Sequence, residues 1–174
     1  MTQVIAISNQ KGGVGKTTTA VNLSAAIAAA EKSCLLIDCD PQGNATTGLG
    51  LDISEMSHGL YGVLMGTSSL EDAITETALP HLHLLGATHE LIGAEVEMVS
   101  MTAKEFLLRK HISALRKRYD YIFLDCPPSL GFLTINALTT SASVLVPLQC
   151  EYYALEGLSK LLTTVKAIKK RLNP

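Results

Sequence analysis

The chain contains short apolar runs bounded by turn residues, and these runs predict strands buried on both faces of a sheet. They cover residues 4–7, 34–37, 82–85, 121–124 and 144–148. Longer segments with helical patterns lie between or after them, at residues 16–31, 103–118 and 155–172. Strands that alternate with helices predict the α/β class, with a mostly parallel twisted sheet and helices on both faces.

Two stretches depart from this alternation. Residues 43–77 are rich in Gly, Ser and Thr and predict a long connection with at most short helices, such as one at 59–65. At the other end, basic residues close the last helix and Asn173 and Pro174 form a stop signal, so the next strand of an alternating fold would begin where the sequence finishes. We expect a single domain over residues 1–174 that lacks part of its C-terminal side.

Composition narrows the class of protein. A chain of 174 residues that is 47% hydrophobic and 17% charged is typical of one compact domain. A net charge of −2 disfavours a surface that is basic all over, so contact with nucleic acid would need a local patch or an assembly. No apolar stretch is long enough to cross a bilayer, and residues 1–8 resemble a strand more than a signal peptide, so we expect a cytoplasmic protein.

Cysteine and histidine spacing gives no sign of a metal centre. The four cysteines, at positions 34, 39, 126 and 150, form no CxxC pair, which disfavours a zinc site and a disulfide framework and predicts reduced, mostly buried thiols. His81 and His83 could share one face of a strand, but no third ligand is near them in sequence. We interpret them as surface or edge histidines.

The strongest chemical signal is a glycine-rich loop between the first strand and the first helix. Residues 10–18 read QKGGVGKTT, and the standard phosphate-binding loop would have glycine where Gln10 stands, so this is a variant. Its glycines let backbone N–H groups face phosphates, while the helix directs its positive end toward them. Lys16 would reach the β- and γ-phosphates, Thr17 would bind Mg²⁺ and Thr18 would contact the α-phosphate. The alternative is a glycine turn that binds nothing.

Two strands end in acids at the sheet edge where α/β proteins bind ligands. The second strand is followed by Asp38 and Asp40, and a carboxylate here can meet Mg²⁺ or its waters, although Asp40 could instead cap the loop. Asp38 is expected to have a structural part. The strand at 121–124 leads into Asp125, the Walker B form, whose expected role is to hold a Mg²⁺-bound water; a helix cap is the alternative.

These motifs resemble one family. Residues 11–18, KGGVGKTT, match the KGGxGK[ST][ST] signature of the deviant Walker P-loop ATPases that include ParA, MinD and the nitrogenase iron protein. Residues 38–50, 124–131 and 147–157 resemble the ParA and Soj pattern in particular, while residues 52–102 are the least diagnostic part.

The resemblance implies ATP and Mg²⁺ as cofactors, ATP hydrolysis and a homodimer that sandwiches ATP. It implies that Asp40 positions or activates the attacking water, and that Lys11 crosses the dimer interface to the partner's nucleotide. The alternative for Lys11 is a solvated lysine at the mouth of the loop. The catalytic residues that the resemblance implies are Lys11, Lys16 and Asp40. The nucleotide-binding residues are Lys11, Gly12, Gly13, Val14, Gly15, Lys16, Thr17 and Thr18. The metal-binding residues are Thr17, Asp40 and Asp125.

The resemblance also implies partners. ParA-like dimers bind DNA nonspecifically on the nucleoid and are released by a centromere-binding partner of the ParB type, which segregates chromosomes or plasmids. The densest basic group here, at 166–171, would support only weak DNA contact. Two alternatives remain: a MinD-like ATPase that positions cargo, in which the helix at 155–172 would be a membrane anchor, and an iron-protein-like redox ATPase that would use Cys126. We expect the helix to pack on the sheet rather than on a membrane.

Overall fold

The fold, seen in a computed structural model, alternates strands and helices along the chain. The structure describes residues 1–115, 117–150 and 154–173. Its strands are β1 Gln3–Ile7, β2 Cys34–Asp38, β3 Ile74–Glu76, β4 Leu82–Leu85, β5 Tyr121–Asp125 and β6 Ser143–Leu145. Its α-helices are α1 Lys16–Ala29, α2 Asn44–Gly48, α3 Leu60–Met65, α4 Leu70–Ala73, α5 Leu91–Met98, α6 Leu107–Leu115, α7 Phe132–Thr140 and α8 Ala154–Arg171.

The six strands form one sheet in the order β3-β4-β2-β5-β1-β6. All neighbouring pairs are parallel except β3 with β4. In the centre, Asp125 of β5 is in register with Ile7 of β1 on one side and Asp38 of β2 on the other. The parallel α/β prediction is confirmed, and the register brings the ends of these three strands to one edge.

Each face of the central strands packs on helices. Ile7, Leu36 and Phe123 are fully buried on the face that contacts α1. The opposite face carries residues such as Leu35 and Leu124, which pack with side chains of α3, α5, α6 and α7. Burial on both faces explains why these strands are uninterrupted apolar runs. The buried strands also fix the position of the polar residues that follow them at the carboxyl edge of the sheet.

The prediction of a buried strand at 144–148 is wrong in two respects. The strand is β6, Ser143–Leu145, and it pairs on one side only, with β1. Ser143 is exposed and the Leu145 side chain is 37% exposed, because β6 is an edge strand and no further strand flanks it within the described residues. Apolar character alone does not distinguish an edge strand from a central one.

Other boundaries shift for local reasons. A single helix over residues 103–118 was expected, but Ala103 has a left-handed φ of 53°, a 3-10 turn follows at Lys104–Phe106, and α6 starts at Leu107. The first helix ends at Ala29, and Glu31 has a φ of 60°. The connection at 43–77 holds the short helices expected there and also β3, which the sequence pattern did not indicate.

Within the part of the chain that the structure describes, no helix combines the length and the apolar character needed to span a bilayer. The apolar residues of α8 are partly accounted for by packing: Leu161 is fully buried, and Ile168 is 7% exposed. The contact of α8 is chiefly with helix α7, so its apolar side is buried in part, but against a helix rather than directly on the sheet.

Candidate nucleotide-binding site

The predicted site residues come together at the carboxyl edge of the sheet. The glycine loop follows β1, Asp40 follows β2, and Asp125 is the last residue of β5. Because these strands are adjacent and parallel, their ends share one edge, which is where open α/β sheets bind ligands.

The loop has the backbone shape that a phosphate cradle needs. Gly13 and Gly15 have φ angles of 73° and 87°, in the left-handed region that side chains other than glycine disfavour. Gly15 directly precedes α1, so the first turn of this helix faces the loop. A Cβ built on Gly12, Gly13 or Gly15 would contact nothing within 4 Å, so the space beside these glycines is open. Backbone N–H groups and a helix N-terminus around open space are suited to an anionic ligand.

Lys16 lies inside this loop. Its side chain is 8% exposed, and its ammonium donates a hydrogen bond to the Lys11 carbonyl at 3.3 Å. The contact holds the cation across the loop rather than in solvent. Lys11 itself is half-buried at the loop mouth, and its backbone N–H donates to Asn9 Oδ1 at 3.0 Å.

Two amides that sequence reasoning missed support the loop. Asn9 Nδ2 donates to the Pro147 carbonyl at 2.8 Å, and Gln149 Nε2 donates to the Gly13 carbonyl at 3.1 Å. Both bonds join the loop to the segment that follows β6. A possible signal was that Gln149 also follows a predicted strand, which places it at the carboxyl edge, but the pairing of β6 with β1 was needed to locate it beside the loop.

Asp125 has the properties of a cation ligand. Both carboxylate oxygens are buried, and neither has a hydrogen-bond partner among the described residues. Burial raises the pKa of Asp125 to about 7, an effect that the nearby Thr17 hydroxyl partly offsets and that the charges of Asp38 and Asp40 reinforce. A buried carboxylate without partners is costly, and a divalent cation would remove that cost. The residues present therefore fit Mg²⁺, with the Thr17 hydroxyl close to the same carboxylate.

Asp38 differs from Asp125 because its hydrogen bonds are satisfied. One oxygen accepts from the backbone N–H and the hydroxyl of Thr46, at 2.8 and 2.7 Å, and the other accepts from the Asp40 N–H at 3.2 Å. Burial raises its pKa to about 6, although these bonds lower it. The Thr46 hydroxyl also accepts from the Ala87 N–H at 3.0 Å. Asp38 thus joins the loops after β2 and β4, which agrees with the structural part expected for it.

Asp40 is 8% exposed, and its Oδ1 accepts from the Gln42 N–H at 3.0 Å. The loop cap considered as its alternative role is therefore present in the structure. The charge of Asp40 also acts on Asp125, which places the two carboxylates near each other. A turn held by Oδ1 is compatible with both roles, since a water-positioning carboxylate must itself be held in place.

Cys126 follows Asp125 and bears on the redox alternative. The residue is 1% exposed, its thiol donates to the Leu124 carbonyl at 3.7 Å, and burial raises the pKa of this thiol well above its usual range. Cluster ligation requires a thiolate, and a cluster shared between subunits requires access to the surface. Both conditions disfavour an iron–sulfur role for Cys126. Cys34 and Cys39 are also buried free thiols, as expected, whereas Cys150 is exposed.

His81 is a surface histidine as expected, whereas His83 is not an edge residue, because β4 pairs with β2 on one side and with β3 on the other. His81 is exposed in the turn before β4, with a left-handed φ of 66°. His83 is partly buried, and its Nδ1 lies 2.7 Å from the Tyr119 hydroxyl. A histidine with a phenol partner needs no metal to explain it.

Comparison with known proteins gives a consistent result. Residues 2–174 match the model of a family described as AAA domain. The chain is 53% identical to the sporulation initiation inhibitor protein Soj of Bacillus subtilis, over 99% of this chain and 68% of that protein. It is 52% identical to the chromosome partitioning protein ParA of Myxococcus xanthus, over 99% of this chain and 61% of that protein. The chain therefore spans about two thirds of the length of these curated relatives.

The fold also matches a solved structure with ligands. A Mycobacterium smegmatis protein described as cobyrinic acid a,c-diamide synthase, with bound ADP and magnesium, superposes with a TM-score of 0.96 at 39% identity, over 100% of this chain and 70% of that one. A nucleotide and magnesium in this relative agree with the ATP and Mg²⁺ that the loop and Asp125 predict. Together with the family match, these likenesses place the chain in the ParA and Soj family of P-loop ATPases.

Proposed function

We propose that this chain is the nucleotide-binding part of a partition protein of the ParA type. It binds and hydrolyses ATP, pairs with a second copy while ATP is bound, and acts in chromosome or plasmid segregation. Its partners are a centromere-binding protein of the ParB type and nonspecific DNA, and its place is the cytoplasm and the nucleoid surface. The observation that carries the proposal is the open glycine loop, with Gly13 and Gly15 in the left-handed region, beside Asp125, whose carboxylate oxygens have no hydrogen-bond partner among the described residues.

Each predicted residue has a role in this proposal. Lys16 binds the β- and γ-phosphates, and the loop N–H groups bind the remaining phosphate oxygens. Thr17 and Asp125 hold Mg²⁺, which neutralises phosphate charge when bound. Asp40 orients the attacking water, because it lies near Asp125 and is held by the Gln42 N–H. Lys11 lies at the loop mouth, from which it can reach the nucleotide of a second copy.

Within the described residues, no group of three His, Cys, Asp or Glu side chains could hold a metal ion by itself. This is compatible with a magnesium site of the nucleotide-dependent kind, in which one or two carboxylates act together with water and substrate phosphates. Mg²⁺ should accordingly bind tightly with nucleotide and weakly without it.

The segregation function is tested by DNA retention on filters at low and moderate salt, with ATP and with ADP. We expect retention that depends on ATP, is weak for this chain alone and falls steeply with salt, because its densest basic group is small and lies at 166–171. Retention that is equal with ATP and ADP would contradict an ATP-controlled DNA cycle. Tight ATP-dependent retention would show that other residues form the DNA surface.

A further inference from the structure

Helix α5 carries an exposed apolar stripe. Ile92 and Val96 on the helix and Val99 directly after it are 64%, 76% and 61% exposed. They follow one another at spacings of four and three residues, so they lie on one side of the helix. The opposite side is in the core, where Leu91 and Met98 are fully buried.

Helix formation does not account for this stripe. Isoleucine and valine are branched at Cβ and favour helices less than the long polar residues normally found on an exposed helix side. Contiguous apolar surface of this kind marks interaction sites on soluble proteins.

The stripe adjoins the nucleotide edge through Glu95. This residue lies four positions after the buried Leu91 and four before the exposed Val99, so it separates the core side of α5 from the stripe. Its carboxylate accepts from the Leu133 N–H at 3.3 Å, and a Cβ on Gly131 would overlap it. Glu95 thus places the exposed stripe next to the start of α7.

The segment 126–131 continues this surface to the phosphate loop. It joins Asp125 to α7, and it includes Leu130, whose side chain is 36% exposed. At its other end the Cys126 N–H donates to the Ile7 carbonyl at 3.1 Å, at the last residue before the loop segment. The stripe, Leu130 and the phosphate loop thus border the same edge of the sheet.

A second copy of the chain is the occupant that this placement favours. The surface at the mouth of the phosphate loop consists mainly of backbone and polar groups, because Gly12, Gly13 and Thr18 are exposed and Lys11 is half-buried. Homodimer interfaces are about 65% apolar, which is more than the ordinary protein surface, and a standard specific interface buries roughly 800 Å² on each partner. A pair joined only at the loop mouth would lack apolar surface, and the stripe with Leu130 supplies it.

We propose that Ile92, Val96 and Val99, together with Leu130, form the apolar part of the interface between two ATP-bound copies. The inference rests on the proposed ATP-dependent pairing and adds where its apolar contacts lie. In a two-fold interface the same patch is used by both copies, so one substitution alters both sides.

Sedimentation velocity with a nonhydrolysable ATP analogue and Mg²⁺ tests this inference. The variant Val96→Lys introduces a charge at the most exposed stripe position, where folding is least affected. The matched control is Leu79→Lys, since Leu79 is 42% exposed in the turn between β3 and β4, at the opposite edge of the sheet. Binding of a fluorescent ATP analogue is measured for each protein.

We expect the parent and Leu79→Lys to dimerise with the analogue, while Val96→Lys has a dimer dissociation constant at least tenfold higher and binds nucleotide as the parent does. Ile92→Ala, which preserves charge, should show a smaller change in the same direction. If Val96→Lys and Ile92→Ala dimerise like the parent, the stripe is not the interface and the proposed function stands. A parent that stays monomeric with bound analogue would overturn the pairing itself.

Discussion

The centre of the sheet and its β6 edge are built from similar apolar residues but differ in how many neighbouring strands flank them and in how deeply their side chains are buried. Strands β1, β2 and β5 have a neighbour on each side, and Ile7, Leu36 and Phe123 are fully buried. At the β6 edge, Leu145 and Leu162 are 37% and 45% exposed, and Leu162 borders a groove of about 590 Å³ between β6, α7 and α8. The packed centre fixes the strand ends that carry the phosphate-binding edge, and the more exposed β6 side joins this edge through the hydrogen bonds of Asn9 with Pro147 and of Gln149 with Gly13.

Loss of the loop cation should have the largest effect. Lys16→Ala removes the ammonium group that lies across the loop and donates to the Lys11 carbonyl. Hydrogen bonds between an ammonium group and a phosphate are charge-assisted and stronger than neutral hydrogen bonds. We expect ATP affinity to fall at least about 100-fold and hydrolysis to be lost with it. Isothermal titration with ATP and Mg²⁺ measures this. Lys166→Ala, on α8, is the control that should bind normally; equal affinity of Lys16→Ala and the parent would remove the loop from the assignment.

Asp40→Ala should separate binding from hydrolysis. The carboxylate is proposed to serve the attacking water, so turnover should fall about 10²- to 10⁴-fold while ATP affinity stays within a few fold. The ATP-bound pair should then persist, which sizing after addition of ATP would reveal. Asp120→Asn, at the opposite end of β5, should turn over ATP as the parent does. Parental turnover in Asp40→Ala would leave this residue only its role as a loop cap.

The contrast in packing can be measured directly. Phe123→Ala empties a fully buried position in the centre and should lower the free energy of unfolding by about 3–5 kcal/mol. Val144→Ala, in β6, should cost roughly 1 kcal/mol, because Val144 is only partly buried. Urea unfolding of both variants gives the two values. Equal losses would mean that the β6 edge is packed as tightly as the centre.

Buried acids should make the metal-free protein less stable as pH rises. The pKa values of Asp38 and Asp125 are raised to about 6 and about 7, above the ordinary 3.8. Their protonated forms are therefore favoured in the folded state, and stability present below pH 4 is lost as pH rises through 6 and 7. Asp125→Asn removes one of these groups. Without metal, we expect the free energy of unfolding of this variant to increase relative to that of the parent between pH 5 and pH 8, as urea unfolding would show. A difference between the two proteins that does not change with pH would contradict a pKa of Asp125 raised by burial.

The sequence predicted the centre of the fold better than its periphery. The strands at 4–7, 34–37, 82–85 and 121–124 were found because burial on both faces leaves mostly apolar residues. Helix α7 was not found, since seven of its positions from Leu133 to Thr140 are buried and no polar side marks a helical period. Strand β3 has three residues, which is too short to show an alternating hydrophobic pattern. Its antiparallel pairing with β4 is visible only in the structure.

The site divides in the same way. The loop at 11–18 and the acids at strand ends are local signals, because phosphate and Mg²⁺ require those residue types in that order. Asn9, Gln149 and Glu95 act through contacts with segments distant in the chain, and single-sequence reasoning has no means of pairing them. Whether Asp40 and Asp38 carried similar roles also depended on hydrogen bonds that only the fold shows.

The most direct test of ATP-dependent pairing is the size of Lys11→Ala with a nonhydrolysable ATP analogue and Mg²⁺, measured beside the parent by sedimentation equilibrium. Lys11 lies at the loop mouth, and its proposed target is the nucleotide of the second copy. The account predicts a parent that becomes a dimer and a variant that binds the analogue but remains a monomer. A Lys11→Ala variant that dimerises as strongly as the parent would contradict it.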